Sequence, residues 1–110
     1  MAVGILLVES LPASPDRADE YHAWYDEVHL RQILGVDGFR SARRFAPVDG
    51  AGPFVAIYEI EADDLEAAVE QFRSASRRGD IEPSDALQRD PPPKVRLLAE
   101  IIRRDADGAG

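Results

Sequence analysis

The chain has 110 residues, no cysteine and a formal net charge of −8. That length fits one domain, and the missing thiols exclude disulfides, thiol catalysis, thiolate zinc sites and iron–sulfur clusters. The acidic field repels phosphate backbones and anionic membranes, so neither nucleic acid nor a membrane is an expected partner.

Ala2 to Glu9 is a compact apolar run ended by Ser10-Leu11-Pro12, which predicts the first strand. The run lacks the basic flank and cleavage site of a signal peptide and is too short to span a bilayer, so a cytoplasmic protein is expected. After a turn-rich stretch, a helix is predicted from about Arg17 to Leu34, capped by Asp16 or Asp19 and ended at Gly35. Phe39 to Val48 reads as the second strand, Asp49-Gly50-Ala51-Gly52 as a hairpin loop and Pro53 to Glu61 as the third strand. Asp63 opens a second helix with Glu66 as its capping-box partner. Leu65, Ala68, Val69, Phe72 and Ala75 give that helix one apolar face, and Gly79 stops it. Asp80 to Pro93 is polar and proline-rich, a long connection with one helical turn near Ser84 to Gln88. Lys94 to Arg103 is the last strand. The domain thus covers residues 1–104, followed by a frayed, flexible tail over 105–110. The order β-α-β-β-α-β predicts an α+β, ferredoxin-like fold: a four-stranded antiparallel sheet with helices on one face.

The strands are apolar on both faces. Val3, Ile5 and Leu7 oppose Leu6 and Val8; Phe54, Ala56, Tyr58 and Ile60 oppose Val55 and Ile57; Val95, Leu97, Ala99 and Ile101 oppose Leu98 and Ile102. Helices cover one face only, and the other would leave more apolar surface bare than the few hundred Å2 a monomer exposes. At about 25 cal/mol per Å2, packing a second copy on that face recovers many kcal/mol before entropic costs, so a homodimer is expected.

The first helix concentrates unusual chemistry. Tyr21 to His29 holds the one Trp, both His and two of the three Tyr of the chain. At about 100° per residue, Tyr21, Trp24, Tyr25 and Val28 form an apolar stripe, with His22, Asp26 and His29 at its edge and Tyr25 beside His29. Together with Val36-Asp37-Gly38-Phe39, Ala42-Arg43-Arg44-Phe45 and Ala56-Ile57-Tyr58-Glu59-Ile60, this helix resembles the dimeric α/β-barrel superfamily, the EthD-like proteins and related small barrels most of all. The resemblance spans roughly residues 2 to 103. It implies that two four-stranded sheets pair into a barrel, that each subunit keeps a pocket between its sheet and helices, and that the first-helix His lines that pocket. Relatives include monooxygenases, isomerases, polyketide cyclases, haem enzymes and proteins of no known activity, so the fold alone selects no reaction. One departure is that Leu30-Arg31 follows His29, where many relatives carry Pro or Gly.

The expected site follows from these residues. His29 is the candidate acid/base, since an imidazole takes and gives a proton near neutral pH, with Tyr25 orienting it or bonding a substrate carbonyl. Tyr21 and Trp24 form the wall. Tyr58 either offers a phenol to the cavity or packs the core. Arg43 and Arg44 alternate faces on the second strand; the inward one, assigned as Arg43, either holds a ligand anion or pairs with Glu59 or Glu100. His22, Asp26 and His29 mimic a two-His, one-carboxylate iron set, but three ligands on one straight helix rarely converge, so no metal is expected. No phosphate loop, dinucleotide motif or Ser-His-acid pattern is present, and no cofactor is expected. Two functions fit. One is a cofactor-free cyclase, isomerase or monooxygenase acting on a small apolar oxygenated or aromatic molecule; the other is a non-catalytic dimeric protein that holds such a ligand.

Overall fold

In a computed structural model describing residues 1–107, the four strands form one antiparallel sheet in the order β2-β3-β1-β4. They are β1 (Ala2–Ser10), β2 (Phe39–Phe45), β3 (Phe54–Ala62) and β4 (Lys94–Ala99). The long helix between β1 and β2 is built of three pieces, α1 (Ala18–Trp24), a π-helical turn (Tyr25–His29) and α2 (Leu30–Ile33), while α3 (Leu65–Arg78) connects β3 to β4. This is the expected ferredoxin-like α+β arrangement.

Strand alternation divides the side chains between two faces. Leu6, Val8, Ala56, Tyr58 and Ile60 turn towards the helices and join Tyr21, Tyr25, Ile33, Phe39 and Val69 in the core. Val3, Ile5, Leu7, Val55, Ile57 and Leu98 occupy the opposite face, half-buried by neighbours in the sheet. Both faces are therefore apolar, and among the described residues no helix covers the second.

Several local boundaries differ from the sequence reading. A 3-10 turn, Pro15–Arg17, precedes α1, and no side chain caps α1. The Arg17 guanidinium instead bonds Glu20 at 2.6 Å and Asp85 at 2.6 Å, tying the helix start to the long connection. The cap of α3 is Asp64 rather than Asp63: its carboxylate accepts the Ala67 amide at 3.1 Å, which moves Glu66 off the capping-box position. Gly79 ends α3 with φ +85, the left-handed conformation that favours glycine. The expected helical turn near Ser84 is a simple turn, with Pro12 and Leu87 bridged beside it.

β4 ends at Ala99 instead of Arg103, because its partner runs out. Gly4 faces Ala99, the Glu100 amide still reaches the Val3 carbonyl at 2.9 Å, and β1 starts at Ala2. Ile101 and Ile102 consequently stand exposed, at 97% and 74%. Of the expected tail, residues 108–110 lie outside the described residues.

At Gly4 a side chain of α3 lies directly against the backbone of β1. A Cβ there would lie 2.6 Å from the Leu98 carbonyl oxygen and 2.7 Å from Leu65 Cδ1. Gly4→Ala should therefore destabilise the fold by on the order of 2–3 kcal/mol, read as a lower urea midpoint at unchanged slope.

Candidate functional site

The π-helical turn organises the site. In an α-helix, residues five apart point about 140° away from each other. Between Tyr25 and His29 the ladder widens, and the Leu30 amide donates to the Tyr25 carbonyl five residues back. The added residue per turn swings His29 around the axis until its ring stacks on Trp24, with centroids 4.3 Å apart and planes 26° apart. Tyr25 meets the same imidazole edge-on at 5.0 Å. A continuous α-helix over Arg17–Leu34 cannot make both contacts. The deviation sits at the residues of greatest chemical interest, as π turns often do.

Trp24 is itself fixed. Its indole N–H donates to the Glu82 carbonyl at 3.0 Å, and Gln32 clasps the same residue through the Glu82 amide at 2.7 Å and carboxylate at 3.2 Å. These bonds pin the connection between α3 and β4 against the first helix. Trp24 and His29, with Phe72 of α3 and Leu87 and Arg89 of the connection, then line a cavity of about 330 Å3. That volume suffices for a small organic ligand.

Burial pushes the His29 imidazole down to about 4, and the Arg44 guanidinium acts in the same direction. The ring is thus neutral at pH 7. Its Nδ1 is buried without a hydrogen-bond partner among the described residues. Tyr58 is fully buried with its hydroxyl likewise unpartnered, and burial beside Tyr25 pushes that phenol up, so it stays protonated. Burial raises Tyr25 as well.

The expected residues do not all meet at one place. Trp24 and His29 line the cavity, and Tyr25 backs the imidazole from the core. Tyr21 is completely buried, and its hydroxyl shares a 2.6 Å hydrogen bond with Ser10, so it supports the sheet–helix contact. Tyr58 lies in the same packed layer, and the cavity opens between the first helix, α3 and the connection rather than directly above the sheet. Arg43 is a correction. Register puts it opposite Ile57 on the helix-free face, its guanidinium 5.3 Å from the Phe45 ring centroid. The inward arginine is Arg44, because strand alternation starts from the buried Phe39 and a bulge between Phe39 and Ser41 shifts the count by one.

Arg44 does not meet Glu59 or Glu100. It donates to Asp26 at 2.7 Å, shares a 3.1 Å hydrogen bond with His22 Nδ1 and lies 4.3 Å over the Tyr25 ring. His22 and Asp26 are therefore occupied by one guanidinium while His29 faces Trp24, which separates the three would-be metal ligands. Among the described residues no group of three or more His, Asp or Glu is placed to hold a metal. Phe72, Leu87 and Arg89 escaped the sequence reading. Phe72 carries the same periodic signal as the core face of α3, and the proline-rich connection has no period to read.

No family model and no curated protein matches the chain. Among solved structures it is similar to a monooxygenase from the gene ActVA-Orf6 of Streptomyces coelicolor, determined in complex with the ligand nanaomycin D. The TM-score is 0.63 and the identity 24%, over 96% of this chain and 94% of that one. It is also similar to Rv0793 from Mycobacterium tuberculosis, with TM-score 0.58 and 16% identity, over 93% of this chain and 99% of the other. At such identities the shared property is the ferredoxin-like α+β fold, and it extends over nearly the whole chain.

The depressed His29 value has a signed consequence. Its folded-state pKa lies below the unfolded 6.5, so the unfolded chain takes up a proton first as the pH falls. The stability associated with neutral His29 is complete above about pH 6.5 and is lost progressively towards pH 4. The 6.5 − 4 difference corresponds to about 3 kcal/mol. His29→Gln should flatten this part of the stability–pH curve relative to wild type in urea titrations from pH 7 to 4.

Proposed function

We propose that the protein is a cofactor-free enzyme of monooxygenase type, working as a homodimer of the dimeric α/β-barrel kind on a small, apolar, oxygenated molecule bound beside Trp24. The likeness to a monooxygenase supports the reaction class at the level of fold. The EthD-like resemblance rests on the first helix together with Val36-Asp37-Gly38-Phe39, Ala42-Arg43-Arg44-Phe45 and Ala56-Ile57-Tyr58-Glu59-Ile60. The observation that carries the proposal is the neutral imidazole of His29, stacked on a rigid indole at a cavity of ligand size.

A neutral imidazole whose conjugate acid lies near 4 serves as a base and not as a proton donor at pH 7. The acid/base role thus narrows to proton acceptance, best suited to an already acidic proton such as that of a polyhydroxylated phenol or an enolised diketone. Loss of that proton gives an electron-rich anion. Dioxygen oxidises it at a ring C–H, one oxygen atom entering as a carbonyl while the other leaves as water with the two displaced hydrogens. The substrate supplies all four electrons that reduce the two oxygen atoms, so no external reductant is needed. Tyr25 acts as a positioning residue behind His29, Trp24 and Phe72 shape the wall, and Arg89 offers a cation to the substrate anion. Tyr21 and Tyr58 hold the layer beneath.

A second reading, a non-catalytic binding protein, is favoured by one observation: Tyr25 and Tyr58 are shut into the core, which leaves His29 without a companion acid. The two readings separate in a paired measurement of ligand binding and oxygen consumption with phenolic and polyketide-like compounds. For the enzyme, His29→Ala should lower turnover roughly 10²–10⁴-fold while affinity changes less than about tenfold. Binding without turnover by wild type would transfer the role to the accessory reading, and a failure to bind any such compound would end both. Sedimentation should give twice the 12.1 kDa chain mass; a species of single-chain mass at micromolar concentration would remove the homodimer.

A further inference from the structure

Gln32 follows Trp24 by eight residues. In an unbroken α-helix the two side chains would point about 80° apart. The extra residue in the π-helical turn brings them to within about 20° of each other, so both reach the same residue of the connection. The Gln32 carboxamide accepts the Glu82 amide at 2.7 Å and donates to the Glu82 carboxylate at 3.2 Å, while the Trp24 indole N–H donates to the Glu82 carbonyl at 3.0 Å. One face of the first helix thus engages every polar part of Glu82.

Glu82 opens a short stretch, Glu82-Pro83-Ser84-Asp85, set between two buried anchors, Ile81 and Ala86. Both ends are tied down. The Asp80 amide donates to the Ala75 carbonyl at 2.9 Å on one side, and the Ala13 amide donates to the Ala86 carbonyl at 2.6 Å on the other. Among the described residues the stretch between makes no backbone–backbone bond to another element. Side chains hold it instead: Gln32 and Trp24 at Glu82, and Arg17 at Asp85, where the guanidinium reaches the carboxylate at 2.6 Å and the carbonyl at 3.0 Å. Glu82, Pro83 and Ser84 form one side of the cavity beside His29. Exposed bonds of this kind contribute little each, so the stretch opens at far lower cost than the sheet does.

We propose that Gln32 is a positioning residue of the candidate site, and that residues 82–85 are a flap over the cavity, latched shut by the Gln32–Glu82 clasp. The inference rests on the reading of that cavity as a ligand site and adds how a ligand enters it. With the flap closed, the Glu82 carbonyl fixes the indole against the His29 imidazole. When the flap lifts, the same carbonyl leaves the indole, so the entrance opens and the wall loosens in one step. Closure over a ligand restores the stack and excludes water from the imidazole. Gln32 itself does not line the cavity and acts on it only through Glu82.

The chain has a single Trp, so its indole N–H gives one signal, and the exchange of that proton with deuterium oxide reports the opening directly. Gln32→Glu sets two carboxylates against each other and should raise the exchange rate at least about tenfold. Acrylamide, a small neutral quencher, should reach the Trp24 fluorescence more readily in the same variant. Adding Glu82→Gln to Gln32→Glu exchanges the two groups: the carboxylate at position 32 then accepts both the backbone and the side-chain amide at position 82. This double variant should return both readouts to within about twofold of wild type. Backbone amide exchange at Leu6 and Tyr58 in the sheet should stay constant throughout, which separates a latch from a general loss of stability. Should Gln32→Glu fail to fold, Gln32→Ala suits a helix, removes the clasp without repulsion and should raise indole exchange about threefold or more. An indole rate unchanged in both single variants, a rise that the exchanged pair does not reverse, or a rise shared by Leu6 and Tyr58 would overturn the flap. These readouts use no substrate, so they stand apart from the binding and oxygen measurements that decide the function.

Discussion

A helix that seats Tyr21 and Tyr25 in the core and also brings His29 onto Trp24 cannot remain a regular α-helix. Residues five apart diverge in that geometry, and the chain resolves the conflict with one π-helical turn at Tyr25–His29. What surrounds the candidate site follows from this. Trp24 is anchored by the Glu82 carbonyl, the anchor holds down the connection from α3 to β4, and that connection closes the cavity beside the imidazole. Loosening the turn would separate the two rings and release the wall opposite them.

Electrostatics reinforces the same division. Arg44 gathers Asp26, His22 and the Tyr25 face into one cluster on the helix side of the sheet edge. By occupying Asp26 and His22 it leaves His29 as the imidazole available at the cavity. Its positive charge adds to burial in keeping His29 neutral. One arginine therefore satisfies the polar edge of the first helix and biases the protonation state of the candidate base. The Tyr21–Ser10 hydrogen bond closes the opposite end of the tyrosine layer, so the floor under the site is rigid.

The sheet carries two kinds of information on its two faces. The helix side holds the closely packed core, with Gly4 permitting Leu65 to approach the backbone. The other side carries Val3, Ile5, Leu7, Val55, Ile57 and Leu98, half-buried by their sheet neighbours alone, and it is the face that the proposed homodimer would cover.

Much of the molecule was legible before folding was considered. Strand positions, the β-α-β-β-α-β order and the two-sided apolarity follow from period-two alternation and turn residues, because those patterns report local backbone geometry directly. Trp24 and His29 also stood out, through the clustering of rare residue types, and the fold brings the two rings together. Three features belonged to the tertiary structure alone. The π turn arises because core packing of Tyr25 overrides helix periodicity. The exchange of Arg43 for Arg44 arises from a bulge that shifts strand parity without a sequence mark. The cavity wall at Leu87 and Arg89 comes from a connection held by hydrogen bonds to a helix some fifty residues earlier in the chain. Local order is written in neighbouring residues; which side chain reaches which surface depends on contacts between segments far apart, and only the folded chain brings those together.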